Sequence, residues 1–414
     1  MIGALETISK NFRRHVDGGH QPVIMQVLPA LNAGGVEQGV VDLNAAITAA
    51  GGKSIVVSSG GRMVNEITKG GGLHVTLPVH SKNPLVMAAN IRRLRKIIHQ
   101  YNVDVVHACS RAPAWSAWRA VQGTYARFVT SCHAAHKTGG MLKRLYNSSI
   151  AKGDVVIAVS HFLSQYLQDN YQTEAARIRV VHRGVAIERF HPNAVRPERL
   201  ITISNQWRIP DGASVVMLPG RLSRIKGHMF LVDAVAALGN PDIFCLFVGS
   251  DIGNESYRQE LEAYIESKGL GGNARIVKHC DDMPSAYMLS TVIVSPSLVP
   301  EGFGRVAVEA QAMGRPVIAT NHGGAQETIV PLETGWLVVP GDVDGLMSAL
   351  QTALSLDGRS RALLATRAMS HVAHHFTNGT MCALTLDVYA EVLDQAHRLA
   401  LPSNDSSRTL KRAG

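Results

Sequence analysis

Short runs of β-branched and apolar residues alternate with stretches of helical period along almost the whole chain. PVIMQVLPAL (22–31), KSIVVSS (53–59), HVTLPV (74–79), VDVVHAC (103–109), ARFVTSCH (126–133) and DVVIAVS (154–160) are near-continuously apolar and bounded by turn residues. That is the pattern of strands buried on both faces of a parallel sheet. Between them, EQGVVDLNAAITAAG and NPLVMAANIRRLRKIIHQYN repeat apolar positions at helical spacing. The second of these predicts an apolar face of Leu85, Ala88, Ile91, Leu94, Ile97 and Ile98, with Arg92, Arg93, Arg95 and Lys96 on or flanking the other side. The same grammar restarts with ASVVMLPG (213–220), IFCLFVG (243–249), ARIVKH (274–279), TVIVSPS (291–297), RPVIAT (315–320) and GWLVVP (335–340). Strand–helix alternation of this kind predicts an α/β fold of two doubly wound, Rossmann-like domains facing across a cleft, with ligands beyond the carboxyl ends of the strands. The aperiodic, proline-bearing stretch ERFHPNAVRPERL (188–200) reads as a linker. We therefore expect domains over 1–195 and 196–384, a helix over 385–402 crossing back to the first domain, and a disordered tail over 403–414.

Composition narrows the class. The 414 residues are 46% apolar and 18% charged, enough to bury two cores and too apolar for disorder. Mean hydropathy is +0.05, and no apolar run approaches the roughly 18 residues of a membrane span. The first twenty residues hold no apolar block, so no secretory leader is expected. Five scattered cysteines (109, 132, 245, 280 and 382) without a CxxC pair predict a reduced, cytoplasmic chain with neither disulfide framework nor zinc ribbon.

Charge adds a partner. Residues 1–200 carry 24 Lys/Arg against 11 Asp/Glu, residues 201–414 carry 17 against 21, and the excess is densest over 51–150, with 14 against 2. Such asymmetry predicts that the first half meets an anion: nucleic acid, an acidic bilayer surface or a phosphorylated acceptor. Aromatics are only 5% and do not interleave with the basic stretches, which argues against nucleic acid.

Three post-strand loops carry candidate chemistry. In the first, NAGGVEQG (32–39), paired glycines let amides approach an anion at a helix start, but the spacing is not the GxGxxG of a dinucleotide site. In the second, MLPGRLSRIKG, Arg221 and Lys226 straddle a turn before a helix and form a candidate phosphate clamp, one bidentate and one a point charge. The third is SPSLVPEGFGRVAVEAQAMGRPVIATNHGGAQETI. Here Gly304, Arg305 and Val306 offer helix-start amides, and Glu301 and Glu309 offer carboxylates suited to hydroxyl-rich ligands. His133 closes a strand where it can face a cleft, and Arg111 follows another strand as a candidate acceptor contact. Asp342-Val343-Asp344 reads as a helix cap rather than a metal pair. Neither it nor the histidines His371, His374 and His375 predicts a metal site.

These motifs, with VVHACSRAPAW, VTSCH, IAVSHFL, RVVHRGV, FHP, VGSD, DMPSAYMLSTVIVSPS and GGAQETI in order between them, resemble the family-4 retaining glycosyltransferases of the GT-B fold over Gln26 to about Leu393. Closest in character are bacterial enzymes of lipopolysaccharide and surface-glycan synthesis. The resemblance implies a nucleotide diphosphate sugar donor, UDP- or GDP-linked, held mainly by the second domain, and no cofactor. It implies that Arg221 and Lys226 hold the diphosphate, that Glu309 takes the ribose hydroxyls and Glu301 the transferred sugar, and that Phe303, Gly304, Arg305 and Val306 supply backbone amides. Gly35 would pack against the diphosphate, and His133 would lie near the sugar. His133, Arg221, Lys226 and Glu301 would be the catalytic set. His279-Cys280 stands where the family usually has glycine, ahead of Asp281-Asp282 in a loop commonly close to the base.

The implied function is metal-independent, retaining transfer of a hexose to a glycan or lipid-linked acceptor, with peripheral contact to anionic inner-leaflet lipid. A nucleotide-sugar epimerase or hydrolase of the same architecture, and a non-enzymatic basic binding module, are the alternatives. Oligomeric state has no signature in the sequence.

Overall fold

The computed structural model describes residues 9–400, apart from Ala33, residues 137–139 and the side chains of 397–400. Ala33 of the first glycine loop and the tail expected over 403–414 lie outside the described residues. Thirteen strands are described, in two sheets. The first holds β1 (Val23–Val27), β2 (Lys53–Ser58), β3 (Leu73–Thr76), β4 (Val105–Ala108), β5 (Arg127–Cys132), β6 (Val155–Ala158) and β7 (Ile178–Val180), in the order β3-β2-β1-β4-β5-β6-β7. The second holds β8 (Ser214–Pro219), β9 (Ile243–Val248), β10 (Ala274–Val277), β11 (Val292–Ser295), β12 (Val317–Thr320) and β13 (Trp336–Val338), in the order β10-β9-β8-β11-β12-β13.

All neighbours in the second sheet run parallel; β8 pairs β9 from Ser214↔Ile243 to Pro219↔Val248, and β11 pairs β8 at Val292↔Val216. In both sheets the strand order reverses beside the first strand, between β1 and β4 and between β8 and β11. Helices there leave on opposite faces and open a crevice beyond the strand ends.

Burial explains the apolar runs. β1 and β9 are buried at every position, and β8 after Ser214. Along β1, Val23, Met25 and Val27 pack on one side with Leu94, Ile97 and Ile98 of the helix Pro84–Tyr101. Leu28, just past β1, packs with Val40 and Val41 of the helix Gly35–Ala49. A strand covered on both faces has no polar side to alternate with.

The chain forms two compact units, one of Met1–Ser131, Gly140–Ile157 and Cys382–Gly414, the other of Cys132–Gly139 and Ala158–Met381. The helix Asn378–Ala400 passes from the second unit into the first. There Asp387 accepts from Ser9 Oγ (2.7 Å), Asp394 pairs with Arg14 (2.8 Å), and the Tyr389 hydroxyl lies 2.6 Å from His107 Nδ1.

Four expectations are corrected. The segment 188–200 is not free of structure: a 3₁₀ turn (Pro192–Ala194) and the start of the helix Pro197–Trp207 lie in it, because Pro197 at the first helical turn forfeits no hydrogen bond. Strand β7 was not foreseen; its three residues are too few to show a period. On the helix Pro84–Tyr101 the buried residues are Met87, Asn90, Leu94, Ile97 and Ile98, whereas Leu85 is 81% exposed and Ala88 is exposed too. Finally, Arg95 is not a solvated surface charge. Its guanidinium donates to the carbonyls of Arg119, Ala120 and Gln122 (2.9–3.2 Å), at the C-terminal end of the helix Arg111–Val121, where a cation meets the negative end of the dipole.

Candidate functional site

The switch point of the second sheet brings two sequence motifs together. After β8 the chain turns at Gly220, buries Leu222, and forms a 3₁₀ turn, Arg224–Lys226, before the helix His228–Leu238. After β11 it runs through Ser297 and Glu301 to the helix Arg305–Ala312. Gly227 locks the two loops together. Its φ is +74°, and a Cβ there would collide with the Pro296 carbonyl. Across this contact Lys226 Nζ lies 2.8 Å from Glu301 Oε1. Ser297 Oγ donates to the same carboxylate oxygen.

Burial alone would raise the Glu301 carboxyl. The Lys226 charge and the hydrogen bonds from Lys226 and Ser297 together outweigh it and hold the group below the usual carboxylate range. His322 stands on the same pocket, its Nε2 donating to the Ser297 carbonyl at 2.8 Å. The pocket is small and is lined by Ser297, Glu301, Gly304, Thr320, His322 and Ala325 among others.

Arg221 stands exposed at the mouth of the same turn, with no hydrogen bond or ion pair to its guanidinium among the described residues. The amides of Arg305 and Val306 open the adjoining helix, where the first turn has no carbonyl partners behind it and the dipole is positive. An unpaired guanidinium, an ammonium shared with Glu301 and a helix start thus follow the strands β8 and β11, the kinds of group that can hold an anion.

Two of the site residues expected from the sequence are held by neighbouring side chains. Glu309 is no open carboxylate. It is 9% exposed, with Oε2 accepting from Tyr287 (2.8 Å) and Oε1 from Arg305 (2.6 Å). The Tyr287 phenol is fully buried, and burial together with the Glu309 charge raises its pKa well above the ordinary value, so it stays a donor. Phe303 is also buried. Its ring sits 5.6 Å from Phe376 and 5.9 Å from His182, centroid to centroid, so the side chain anchors the loop whose backbone faces the site.

His133 joins this unit through Gly302: a Cβ at 302 would strike the His133 carbonyl, so glycine lets the segment after β5 close on the residue beside Glu301. Gly35 opens the helix Gly35–Ala49 of the other unit. Arg111, in that same unit, donates to Asn147 Oδ1 (2.7 Å) and stacks 5.5 Å over Tyr146, a structural engagement. Asp342 caps the helix Val343–Leu354, accepting from the Gly345 amide at 2.9 Å. In the loop after β10, His279 Nε2 lies 2.8 Å from Asp281, and Asp282 caps the helix Met283–Leu289 while pairing with Arg199.

Sequence reasoning missed Ser297, His322 and Tyr287. The first two follow strands, a usable signal; Tyr287 lies within a helix, and nothing local connects it to Glu309.

Comparison with known proteins agrees over most of the chain. Residues 33–189 match the family described as Glycosyltransferase Family 4, and residues 201–369 that described as Glycosyl transferases group 1. A solved glycosyltransferase from Rickettsia africae is 35% identical and superposes with a TM-score of 0.83 over 90% of this chain and 99% of its own. An Anabaena protein, HepE, solved in complex with UDP and glucose, is 21% identical with a TM-score of 0.75 (90% and 99% covered), a likeness of fold. A D-inositol 3-phosphate glycosyltransferase from Corynebacterium urealyticum is 33% identical over 238 residues, 56% of this chain and 55% of that protein. The chain thus spans about half the length of the curated relatives it matches.

Proposed function

The chain belongs to glycosyltransferase family 4, with the GT-B fold, and from that premise we propose that it transfers a hexose from a nucleotide diphosphate sugar to a glycan or lipid-linked acceptor in surface-polysaccharide synthesis. One observation carries this reading: the 2.8 Å pairing of Lys226 with Glu301 at the carboxyl ends of β8 and β11, beside the unpaired Arg221 and the helix start at Arg305.

Sugar transfer breaks the bond between the anomeric carbon and a phosphate oxygen. Negative charge grows on the departing diphosphate while the sugar becomes oxocarbenium-like. Arg221, Lys226 and the amides of Arg305 and Val306 stabilise that charge without reorganising, and a metal ion is not needed for it. Glu301 faces the sugar, where its carboxylate accepts hydroxyl hydrogens and lies close to the developing positive charge. Glu309, held by Tyr287 and Arg305, uses its remaining lone pairs for the ribose hydroxyls. Phe303 and Gly304 bring backbone to the sugar and phosphate, and His133 stands near the sugar.

As the family resemblance implies, the acceptor attacks from the leaving-group face with retention, its proton passing to the departing phosphate oxygen. UDP is the favoured nucleotide, on the strength of the HepE complex. The first half receives the acceptor. Its 14 basic against 2 acidic residues over 51–150 suit an anionic acceptor at the surface of an acidic bilayer.

The test is a panel of UDP- and GDP-sugars read by thermal shift, followed by transfer to glycan acceptors with the product anomer assigned by NMR. A stabilising UDP-sugar and an anomer matching the donor's support the reading. Inversion overturns the mechanism, and turnover without acceptor moves the assignment to an epimerase or hydrolase.

A further inference from the structure

Beside the pocket, on the far side of the helix that begins at Ala325, three metal-ligating side chains from three separate segments converge. His161 begins the helix His161–Tyr171, His182 follows β7, and Glu327 lies on the short helix Ala325–Thr328. One ligand atom from each lies within 4.8 Å of the other two, the only such group of His, Cys, Asp and Glu among the described residues. Glu327 anchors the cluster. Its Oε1 accepts the Phe162 amide and Oε2 the His161 amide, both at 2.8 Å, and Oε2 also lies 2.9 Å from His182 Nε2. Burial would raise the Glu327 carboxyl, but His182 and the two amides outweigh it and hold it below the usual range. The His161 and His182 rings meet edge to face, 5.8 Å between centroids. The exposed His161 imidazole makes no side-chain hydrogen bond among the described residues.

We propose that His161, His182 and Glu327 form a binding site for a late first-row divalent ion of the Zn²⁺ class. Two imidazoles and one carboxylate make a borderline-soft donor set that disfavours Mg²⁺ and Ca²⁺, and the single negative charge partly neutralises the ion. Ligands about 2.0–2.1 Å from a tetrahedral ion stand about 3.4 Å apart. The 2.9 Å His182–Glu327 contact must therefore open slightly, while His161, on the surface, rotates inward. On binding, Glu327 remains an anion, and the hydrogen between His182 Nε2 and Oε2 is replaced by a metal–nitrogen bond, the imidazole proton moving to Nδ1. Water completes the coordination. The ion joins the start of the helix His161–Tyr171, the segment after β7 and the helix Ala325–Thr328, and takes no part in the charge stabilisation assigned to Arg221 and Lys226.

The experiment titrates the full chain, free of any histidine tag, with Co²⁺ and Zn²⁺. One equivalent of Co²⁺ should give the visible absorption of a four- to five-coordinate centre, Zn²⁺ should displace it, and the melting temperature should rise with Zn²⁺. His161→Ala, which removes an exposed ring that makes no side-chain hydrogen bond among the described residues, should weaken Zn²⁺ binding at least tenfold, and Glu327→Gln should do the same. His375→Ala, on the separate pair His371/His375 (rings 5.1 Å apart), should leave binding unchanged. Absence of Co²⁺ binding, wild-type affinity in His161→Ala, or loss of binding in His375→Ala overturns the site. Because the readout is metal binding, its failure leaves the proposed sugar transfer standing.

Discussion

Lys226 and Glu301 are 75 residues apart in sequence, and the Lys226 ammonium lies 2.8 Å from the Glu301 carboxylate. The ion pair crosses from the loop after β8 to the loop after β11, so the cation proposed to meet a phosphate is held in place by the acid proposed to meet a sugar. Removing either member disturbs both.

Lys226→Ala should lower turnover about a hundredfold, the loss of roughly 3 kcal/mol of transition-state stabilisation. It should also cost about 1–2 kcal/mol of stability, because Glu301 keeps a half-buried charge without its cation. Arg221→Ala should give a similar loss of turnover with an unchanged melting temperature, since its guanidinium has no partner to lose. Steady-state kinetics with denaturation on both variants checks this; near-normal activity in both removes the phosphate clamp.

Tyr287→Phe should destabilise the chain by about 1–3 kcal/mol, because it deprives the buried Glu309 carboxylate of a donor. If Glu309 binds the ribose, the donor KM should rise more than kcat falls. An equal fall in kcat with KM unchanged would detach Glu309 from the nucleotide.

Exhaustive EDTA treatment should leave at least half of the turnover. On the proposed mechanism cations and helix amides supply the charge stabilisation, and His161, His182 and Glu327 are not among the groups assigned to it. Activity abolished by EDTA and restored only by a divalent ion would defeat the proposed mechanism.

Acid should unfold the first unit partly through His107. The ring is buried between Tyr389 (2.6 Å) and Ser131 (2.7 Å), and burial pushes its pKa down to about 3. The unfolded chain takes up a proton near pH 6.5, while the folded ring resists until about pH 3. Stability should therefore fall as pH drops through that window and level off below it. Urea melts from pH 7 to pH 4 should show a shallower acid decline in His107→Gln than in wild type; equal slopes would contradict the assignment.

The wild type should sediment with anionic vesicles at low salt and release at high salt. Changing Arg92, Arg93 and Lys96 to Gln should weaken this, each charge being worth about 1 kcal/mol near the surface. Arg95 is left intact because it caps a helix. Equal partition into neutral and anionic vesicles would make the acceptor a soluble one.

Among the described residues, no helix is long and apolar enough to cross a membrane. That much was legible locally, as was the two-sheet α/β plan, since a strand buried on both faces writes its burial directly into consecutive residues. The candidate loops were legible for the same reason: they follow strands, and strand ends are where such sheets bind ligands. Tertiary structure alone decided which side chains meet. Tyr287 on Glu309, Lys226 on Glu301, Arg95 on the carbonyls of Arg119 and Gln122, and His161 and His182 beside Glu327 are contacts between segments far apart in the chain or on different elements, and no period records them. Leu85 shows the converse. Helical spacing assigned it to the apolar face, yet it is exposed, because a period defines a direction around the helix and only the packed neighbours determine how far along it the core extends.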